Sequence, residues 1–279
     1  MELFFDSGAT KCDAILLDDN GRYLRHCTGT GINATYMSDS DIHSILEGLR
    51  DQTGTEFQRL TFCGAGCGNP DNAKRIQSIL QELYNINISN IEVISDLVGA
   101  CRILSPGQSG MVAILGTGAS ACLYDGTAII RQAPSLGYLL GDEGSGTYIG
   151  KLFIQRYLRD DLPAPIEADF QRTYGLDKAE VIRRLYREPA PNRLLASFAR
   201  YLGMNRDIPY LHSLLMEGFT DFFRTQIQPL LPYNIYILHL MGSVAFHFHS
   251  VIGEVAQEKG CFLGNVAASP LDFLRNPHE

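Results

Sequence analysis

The sequence has 279 residues, of which 45% are hydrophobic and 19% are charged, and its formal net charge is −8. This composition is that of an ordinary globular protein, and the length is near the point at which a single core divides, so two domains are expected. The negative charge and the lack of a basic stripe argue against nucleic acid as a partner. No apolar run approaches the ~18 residues of a membrane span, which argues against a membrane protein.

Strand signals dominate the start of the chain. The segments "LFF", "CDAILLD" and "YLRHCTG", with turns at glycines, predict antiparallel strands. The turn inside "LFFDSGATKCDAILLD" (residues 3–18) leads into a strand, whereas phosphate loops of the Walker and Rossmann types open a helix. The stretch therefore predicts a hairpin that presents backbone N–H groups beside the carboxylate of Asp6. A strand at the start replaces the pattern of a secretory signal, so a cytoplasmic protein is expected.

An alternation of helices and strands follows. Helices are predicted over "SDIHSILEGLRDQ" and "NPDNAKRIQSILQELYN", and strands over "RLTFCGAGC" and "IEVISD". With the hairpins, this order predicts a mixed sheet flanked by helices. The seven cysteines are scattered and odd in number, which favours buried free thiols over disulfides. "CGAGC" lacks the second pair of a zinc site and is interpreted as structural.

The second half of the chain starts like the first. "SPGQSG" (residues 105–110) is typical of a crossing between domains, and "MVAILGTGASACLYDGTAIIRQ" then repeats the order of strand, small-residue turn, strand, polar turn and strand. The two small-residue turns, at Gly8 and Gly116, lie about one hundred residues apart. We interpret this as an internal duplication whose two hairpins would hold a polyphosphate from both sides. Either hairpin alone also fits an ordinary β-turn.

The remainder of the chain is predicted to be mainly helical. Helices are expected over "EGSGTYIGKLFIQRYLRDD", "DKAEVIRRLYREP" and "YLHSLLMEGFTDFFRTQIQPLL". A buried strand, "IYILHLMGSVAF", ends in a glycine turn and leads into the helix "FHSVIGEVAQEKG". The tail "SPLDFLRN" predicts a short helix that packs on the first domain.

Taken together, these motifs resemble the actin-like ATPase superfamily of sugar kinases, heat-shock chaperones and actin. The two hairpins, "ISDLVGA", "GDEGSG" and "LMGSVAF" occur in order over essentially the whole chain and are most similar to the N-acetylglucosamine kinase branch, grouped with the BadF/BadG-type ATPases. The resemblance implies an α/β fold of two actin-like (ribonuclease H-like) domains, with mixed sheets flanked by helices and with nucleotide and sugar in the interdomain cleft. The domains are expected over residues 1–104, completed by a C-terminal helix at 268–279, and over 105–267.

The resemblance implies ATP and Mg²⁺ as cofactors. Asp6 would hold Mg²⁺ through water, because carboxylate oxygens suit this ion. Gly242 and Ser243 correspond to the family's adenosine motif, although a glycine there also suits a simple turn between strand and helix. The nucleotide-binding residues implied by the resemblance are Asp6, Gly8, Thr10, Lys11, Gly116, Thr117, Gly118, Gly242 and Ser243.

The resemblance also implies a general base and a sugar site. Asp96, after the strand "IEVIS", corresponds to the carboxylate that takes the proton of the attacking hydroxyl. Asp96 and Asp142 also fit helix N-caps, and Asn33 fits an ordinary turn residue. The sugar-binding residues implied by the resemblance are Asn33, Asp96, Ala119, Ser120, Gly137 and Asp142.

Departures from the family pattern lie on the sugar side. In "GTGAS", Ala119 lacks a side-chain donor and Ser120 stands where better-known kinases have Asn. "SLG" at 135–137 replaces a Gly-Trp-Gly pattern, and the chain has no Trp. An N-acetylated amino sugar is the expected small-molecule partner, with N-acetylglucosamine phosphorylated on its 6-hydroxyl as the leading reaction. The departures leave the identity of the sugar open.

Two other functions fit the same superfamily. The first is an ATPase that activates a dehydratase through an iron–sulfur cluster, which would need thiolates such as Cys63, Cys67 and Cys101. The second is a sugar sensor without catalytic activity, although such regulators usually carry an N-terminal DNA-binding helix-turn-helix and here the first strand is expected to begin at residue 2. His247 and His249 are two residues apart on a predicted helix and face different sides, so no metal site is expected there. The family is often dimeric, but the apolar pattern singles out no interface.

Overall fold

The computed structural model describes residues 1–233 and 236–275, and it divides the chain into two compact units. The first unit comprises Met1–Pro106 and the segment that starts at Ser269, and the second comprises Gly107–Ala268. Each unit has its own sheet and its own core. Over the described part of the chain, no helix combines the length and the apolar character that crossing a membrane requires.

The first unit is built on a mixed sheet, as predicted. Its five strands are β1 (Glu2–Ser7), β2 (Lys11–Leu17), β3 (Tyr23–Thr30), β4 (Arg59–Gly64) and β5 (Ile91–Ser95). They lie in the order β3-β2-β1-β4-β5, with β2 antiparallel to both neighbours and with β1, β4 and β5 parallel. The carboxyl ends of the three parallel strands therefore share one edge, which is where ligands bind in sheets of this kind.

Three helices of the first unit follow the predicted pattern: α1 (Asp39–Thr53), α2 (Pro70–Tyr84) and α3 (Asp96–Leu104). The side chain of Ser38 accepts the N–H of Asp41 and caps α1, and Asn69 caps α2 in front of Pro70. The apolar faces of α1 and α2 are buried in the core of this unit. Each fully buried leucine or isoleucine contributes about 2 kcal/mol relative to an exposed one.

The second unit has the same sheet topology. Its strands are β6 (Gly110–Leu115), β7 (Ala119–Tyr124), β8 (Ile129–Gln132), β9 (Ile237–Met241) and β10 (Phe262–Ala267). They lie in the order β10-β9-β6-β7-β8, with β7 antiparallel to both neighbours and with β6, β9 and β10 parallel. Read from the opposite edge, this is the order and direction of the first sheet, as an internal duplication requires.

Helices form most of the rest of the second unit. They are α4 (Gly137–Leu140), α5 (Gly146–Leu158), α6 (Ala164–Tyr174), α7 (Lys178–Arg187), α8 (Pro191–Met204), α9 (Pro209–Phe222), α10 (Ser243–His247) and α11 (His249–Glu258). The last helix, α12 (Pro270–Arg275), belongs to the first unit, where Leu271 packs with Ile15 and Leu17. The end of the predicted tail helix, residues 276–279, lies outside the described residues.

Two helix boundaries were predicted wrongly. Helix α5 starts at Gly146 instead of near Glu143, because the side chain of Ser145 accepts the N–H of Tyr148 and caps the helix there. The single helix predicted over 210–231 ends at Phe222 and continues as a π-helical turn and a 3₁₀ turn. Pro229 lies in that last turn and has no N–H with which to extend an α-helix.

Other elements also differ from the prediction. His247 and His249 belong to separate helices that meet at Phe248, instead of one continuous helix. Strand β10 was not predicted, because a register shift between Leu263 and Val266 interrupts its alternation of apolar residues. Helices α6 and α8 were also missed. The predicted strand "IYILHLMGSVAF" begins at Ile235, which lies outside the described residues.

Candidate active site

The turn between β1 and β2 is a tight hairpin. Across it, the N–H of Gly8 donates to the carbonyl oxygen of Lys11 (3.0 Å), and both Gly8 and Thr10 are exposed. Gly31 lies against the turn, since a Cβ on Gly31 would be 2.3 Å from the carbonyl oxygen of Gly8. The N–H of Gly31 donates to the carbonyl oxygen of Thr10 (3.1 Å). Gly31 therefore supports the turn through an approach that only glycine permits. It was not among the predicted site residues.

The carboxylate of Asp6 is surrounded by other acids. Asp6 is half-buried at the end of β1 and lies opposite Asp13 in the β1–β2 register. Burial, together with the neighbouring carboxylates of Asp13 and Asp96, raises the pKa of Asp6 to about 7, against the charge of Lys11. A cation placed beside Asp6 would relieve this repulsion.

Asp13 was not predicted as part of the site. Its side chain is only 4% exposed, lies 2.7 Å from Nζ of Lys11 and accepts a hydrogen bond from Oγ1 of Thr28 (2.7 Å). The ammonium group of Lys11, which was predicted to bind nucleotide, is thus paired with Asp13. Residues 11 and 13 share one face of β2 because strands repeat every two residues, so "TKCD" did contain this signal.

Asp96 is the first residue of α3 and directly follows β5. The N-cap of α3 is Ser95, whose side chain accepts the N–H of Val98 (3.2 Å), so Asp96 is not the cap. Oδ1 of Asp96 accepts the N–H of Leu97 (2.9 Å). Burial raises the pKa of Asp96, and the hydrogen bond from Leu97 opposes this.

Asn33 lies on the loop between β3 and α1, which is attached to the hairpin by Ser7. Oγ of Ser7 is buried, accepts the N–H of Ile32 (2.9 Å) and donates to the carbonyl oxygen of Ile32 (3.3 Å). Oδ1 of Asn33 accepts the N–H of Thr35 (3.0 Å), as in a local turn. The predicted turn role of Asn33 is therefore present, and no hydrogen bond among the described residues uses its Nδ2, which can donate to a ligand.

The turn Gly116–Gly118 between β6 and β7 is held by α5. The N–H of Gly116 donates to the carbonyl oxygen of Gly118 (3.0 Å), which closes the turn. Oγ1 of Thr147 donates to the carbonyl oxygen of Thr117 (2.6 Å). The N–H of Gly146 donates to the carbonyl oxygen of Gly116 (2.8 Å). Thr147 is fully buried and was not predicted, because its partner lies thirty residues earlier in the chain.

The carboxylate of Asp142 lies on this second turn. Asp142 is 9% exposed and has a left-handed backbone, with φ of 59°. Its carboxylate accepts the backbone N–H of Ala119, and a Cβ on Gly118 would lie 3.0 Å from its Oδ2. Burial raises the pKa of Asp142, against the hydrogen bond from Ala119. The cap of α5 is Ser145, so Asp142 is not its cap.

Gly242 packs on the strand that leads into the same turn. A Cβ on Gly242 would be 2.3 Å from the carbonyl oxygen of Leu115, and its φ of 112° also favours glycine. The N–H of Gly242 donates to Ala267 (2.9 Å), and the exposed Ser243 starts α10. The predicted nucleoside motif thus lies beside the predicted phosphate turn within one unit.

The predicted site residues are divided between the two units. In the first unit these are Asp6, Gly8, Thr10, Lys11, Asn33 and Asp96. In the second unit they are Gly116, Thr117, Gly118, Ala119, Ser120, Gly137, Asp142, Gly242 and Ser243. Among the described residues, no group of three or more His, Cys, Asp or Glu side chains forms a ready cation cage. All seven cysteines are free thiols, as predicted, and only Cys27 is partly exposed.

Two mixed sheets of one topology, each flanked by helices, are the architecture of the actin-like ATPase fold, which sugar kinases share. The chain resembles a protein of Porphyromonas gingivalis assigned as an N-acetylglucosamine kinase, with 35% identity and a TM-score of 0.91. The match covers 100% of this chain and 98% of the P. gingivalis chain. The chain therefore belongs to the N-acetylglucosamine kinase family of actin-like ATPases. No family model matches the sequence.

Other structures share the fold at lower identity. A protein of Chromobacterium violaceum with the same assignment matches 98% of this chain and 97% of its own length, with 19% identity and a TM-score of 0.73. A ROK family glucokinase of Streptomyces griseus, solved with glucose and AMPPNP, matches 96% of this chain and 93% of its own, with 13% identity and a TM-score of 0.60.

Proposed function

We propose that this protein transfers the γ-phosphoryl group of ATP to a hydroxyl of an N-acetylated amino sugar, with the 6-hydroxyl of N-acetylglucosamine as the leading acceptor. The observation that carries the proposal is the position of Asp96. Asp96 is a carboxylate at the carboxyl end of a parallel strand, and it is close enough to Asp6 for the two charges to repel. Because Ser95 caps α3, the side chain of Asp96 is not used as the cap. The 35% identity to the P. gingivalis protein supports the same acceptor class.

Asp96 would act as the general base. The acceptor oxygen attacks the γ-phosphorus, the bond from that phosphorus to the bridging oxygen breaks to release ADP, and the hydroxyl proton passes to Asp96. Because phosphoryl transfer is loose, the base mainly orients the oxygen and accepts the proton late. The raised pKa of Asp96 brings its basicity closer to neutral pH, which suits this task.

We assign the nucleotide to the two turns and the Gly242 motif. Gly8 and Thr10 would offer backbone N–H groups and a hydroxyl to the terminal phosphates. In the second unit, Gly116, Thr117 and Gly118 would take the β-phosphate, and Gly242 with Ser243 would contact the nucleoside. Lys11 would add a positive charge near the phosphates from its place beside Asp13.

The residues around Asp6 fit a magnesium ion held mainly by water and phosphate. Asp6, Asp13 and Asp96 concentrate negative charge, while the described residues form no closed cage, and Mg²⁺ usually keeps several waters beside one or two carboxylates. When bound, the ion would neutralise charge on the phosphates. Asp6 is the residue that would hold it, through water.

Two side chains are proposed as sugar ligands, one described in each unit. Nδ2 of Asn33 can donate, and the buried carboxylate of Asp142 can accept from hydroxyl groups at a fixed separation. The N–H of Ala119 on β7 donates to the carboxylate of Asp142, and Ser120 follows it on the same strand. With Gly137 at the start of α4, these residues would line the same sugar subsite.

A coupled assay for ADP release tests the proposal. The panel is N-acetylglucosamine, N-acetylmuramic acid, glucosamine, glucose and no sugar, each with ATP and Mg²⁺. Stimulation by one or more N-acetylated sugars, with glucose and glucosamine much weaker, is the expected result. Equal ADP release in every well would overturn the kinase assignment, and stimulation by glucose alone would overturn the acceptor class.

A further inference from the structure

Arg75, on α2, makes three contacts with the loop that carries Asn33. Its Nη1 donates to the carbonyl oxygen of Ala34 (2.8 Å), its Nη2 donates to that of Met37, and its Nε donates to Oδ1 of Asp39. These partners lie 36 to 41 residues from Arg75 in the chain. The guanidinium group thus spans the loop from its middle to the start of α1.

One of these contacts leads directly to Asn33. The backbone N–H of Asn33 donates to Sδ of Met37 (3.4 Å), and the N–H of Met37 donates to the carbonyl oxygen of Asn33 (3.2 Å). Arg75 therefore holds the carbonyl oxygen of the residue that packs across the Asn33 backbone. Hydrogen bonds from a charged donor of this kind are about twice as strong as neutral ones.

The start of the loop is held differently. Ser7 bonds to both polar backbone groups of Ile32, and Gly31 bonds to Thr10 of the first hairpin. Those contacts belong to the β1 side of the sheet and leave residues 34–38 to other supports. At that end the N–H of Ala34 donates to the carbonyl oxygen of Ala65 (3.0 Å), and Arg75 adds side-chain support as far as Met37.

We propose that Arg75 is a positioning residue for acceptor binding, which holds the 33–37 loop so that Nδ2 of Asn33 points at the sugar. The inference rests on the proposed function, because it takes Asn33 as a sugar ligand. Arg75 contacts neither the hairpin nor Asp96 in the hydrogen bonds and ion pairs of the described residues. Its loss should therefore weaken acceptor binding without changing nucleotide binding or the chemical step.

The test compares Arg75→Ala and Arg75→Lys with the control Arg102→Ala. Arg102 is an arginine on α3 whose guanidinium pairs with Glu92 at an exposed position away from the loop. We expect Arg75→Ala to raise KM for the sugar roughly tenfold, with kcat and KM for ATP within about twofold of wild type. Arg75→Lys keeps the charge but not the planar guanidinium group, so its KM for the sugar should lie between those of wild type and Arg75→Ala. Arg102→Ala should match wild type in all three constants.

A second readout does not depend on activity. Amide hydrogen exchange of a peptide covering residues 31–38 should be faster in Arg75→Ala, while a peptide covering residues 2–12 exchanges as in wild type. The Lys variant guards against loss of folding in the Ala variant, since it retains the volume and charge of the side chain.

The outcomes separate this inference from the proposed function. Sugar-dependent ADP release in wild type with an unchanged sugar KM in Arg75→Ala would overturn the role of Arg75 and leave the kinase assignment standing. An Arg75→Ala variant in which kcat falls and both KM values rise by similar factors would also overturn it, because that pattern indicates general damage. Absence of any sugar dependence in wild type would overturn the proposed function. Amide hydrogen exchange at residues 31–38 that is unchanged in Arg75→Ala would overturn the role of Arg75 in ordering the loop.

Discussion

Gly31 and Gly8 meet backbone to backbone, so that a Cβ on Gly31 would lie 2.3 Å from the carbonyl oxygen of Gly8. The same Cβ would lie 2.5 Å from the backbone nitrogens of Thr10 and Lys11. A carbon cannot occupy that space without moving the hairpin. The first residue after β3 and the proposed phosphate turn are therefore packed backbone to backbone.

Replacing Gly31 with alanine should displace the first hairpin. We expect Gly31→Ala to lower the free energy of unfolding by about 2–3 kcal/mol through overpacking and to raise KM for ATP at least tenfold. Urea unfolding and steady-state kinetics measure the two effects. The matched control is Gly48→Ala in α1, where a Cβ meets nothing within 4 Å, and which should be neutral or stabilising by about 0.5–1 kcal/mol. Equal behaviour of the two variants would contradict the close approach.

The second turn depends on a buried hydroxyl. Thr147→Val keeps the shape of the side chain but removes the 2.6 Å hydrogen bond from Oγ1 to the carbonyl oxygen of Thr117. The carbonyl oxygen of Thr117 keeps the longer hydrogen bond from the backbone N–H of residue 147 (3.3 Å), so the loss should cost about 1 kcal/mol of stability. We expect KM for ATP to rise several-fold, with KM for the sugar affected less. Thr225→Val serves as the control, because its Oγ1 donates locally, to the carbonyl oxygen of Asp221 (2.9 Å). An ATP KM that is the same in both variants would exclude Thr147 from supporting the turn.

His239 should make the protein less stable in mild acid. Burial lowers the pKa of His239 below its ordinary value of 6.5, and its Nδ1 accepts the N–H of Asn265 (3.0 Å) at the bulge of β10. Because the unfolded chain binds the proton more tightly, this contribution to stability is present above pH 6.5 and is lost as the pH falls through the folded pKa.

The comparison that isolates this effect is His239→Gln, which keeps an acceptor but does not titrate. Urea unfolding at pH 7.5 and pH 5.5 should show that wild type loses more of its free energy of unfolding than the variant does over this range. A wild-type protein that gains stability relative to the variant on acidification would reverse the sign and contradict the buried, neutral imidazole.

The sequence was sufficient for the parts of the site that are local in the chain. Asp6 and Asp96 each stand where a strand ends, and the turns at Gly8 and Gly116 each contain their own small residues, so short patterns predict them. The supports were missed because their partners are distant: Arg75 reaches the loop at Ala34, and Thr147 reaches Thr117. No local pattern marks a side chain whose only role is to hold a remote carbonyl oxygen.

The elements that were missed have local reasons. Strand β10 carries Gly264 and Asn265 at its bulge, where an imidazole atom of His239 would lie 2.7 Å from a Cβ on Gly264. The bulge removes the alternation that predicts a strand. The end of α9 was placed too late, because apolar spacing continues through Phe223 and Ile227 although the backbone changes to a π turn.

Asp96→Asn tests the central claim most directly. The variant keeps the size of the side chain and removes its ability to take a proton. We expect kcat for phosphorylation of the stimulating sugar to fall by about 10²–10⁴-fold, while the affinity for ATP, measured by calorimetry, stays within about twofold of wild type. A variant that phosphorylates the sugar at the wild-type rate would contradict Asp96 as the base and with it the account of how this site works.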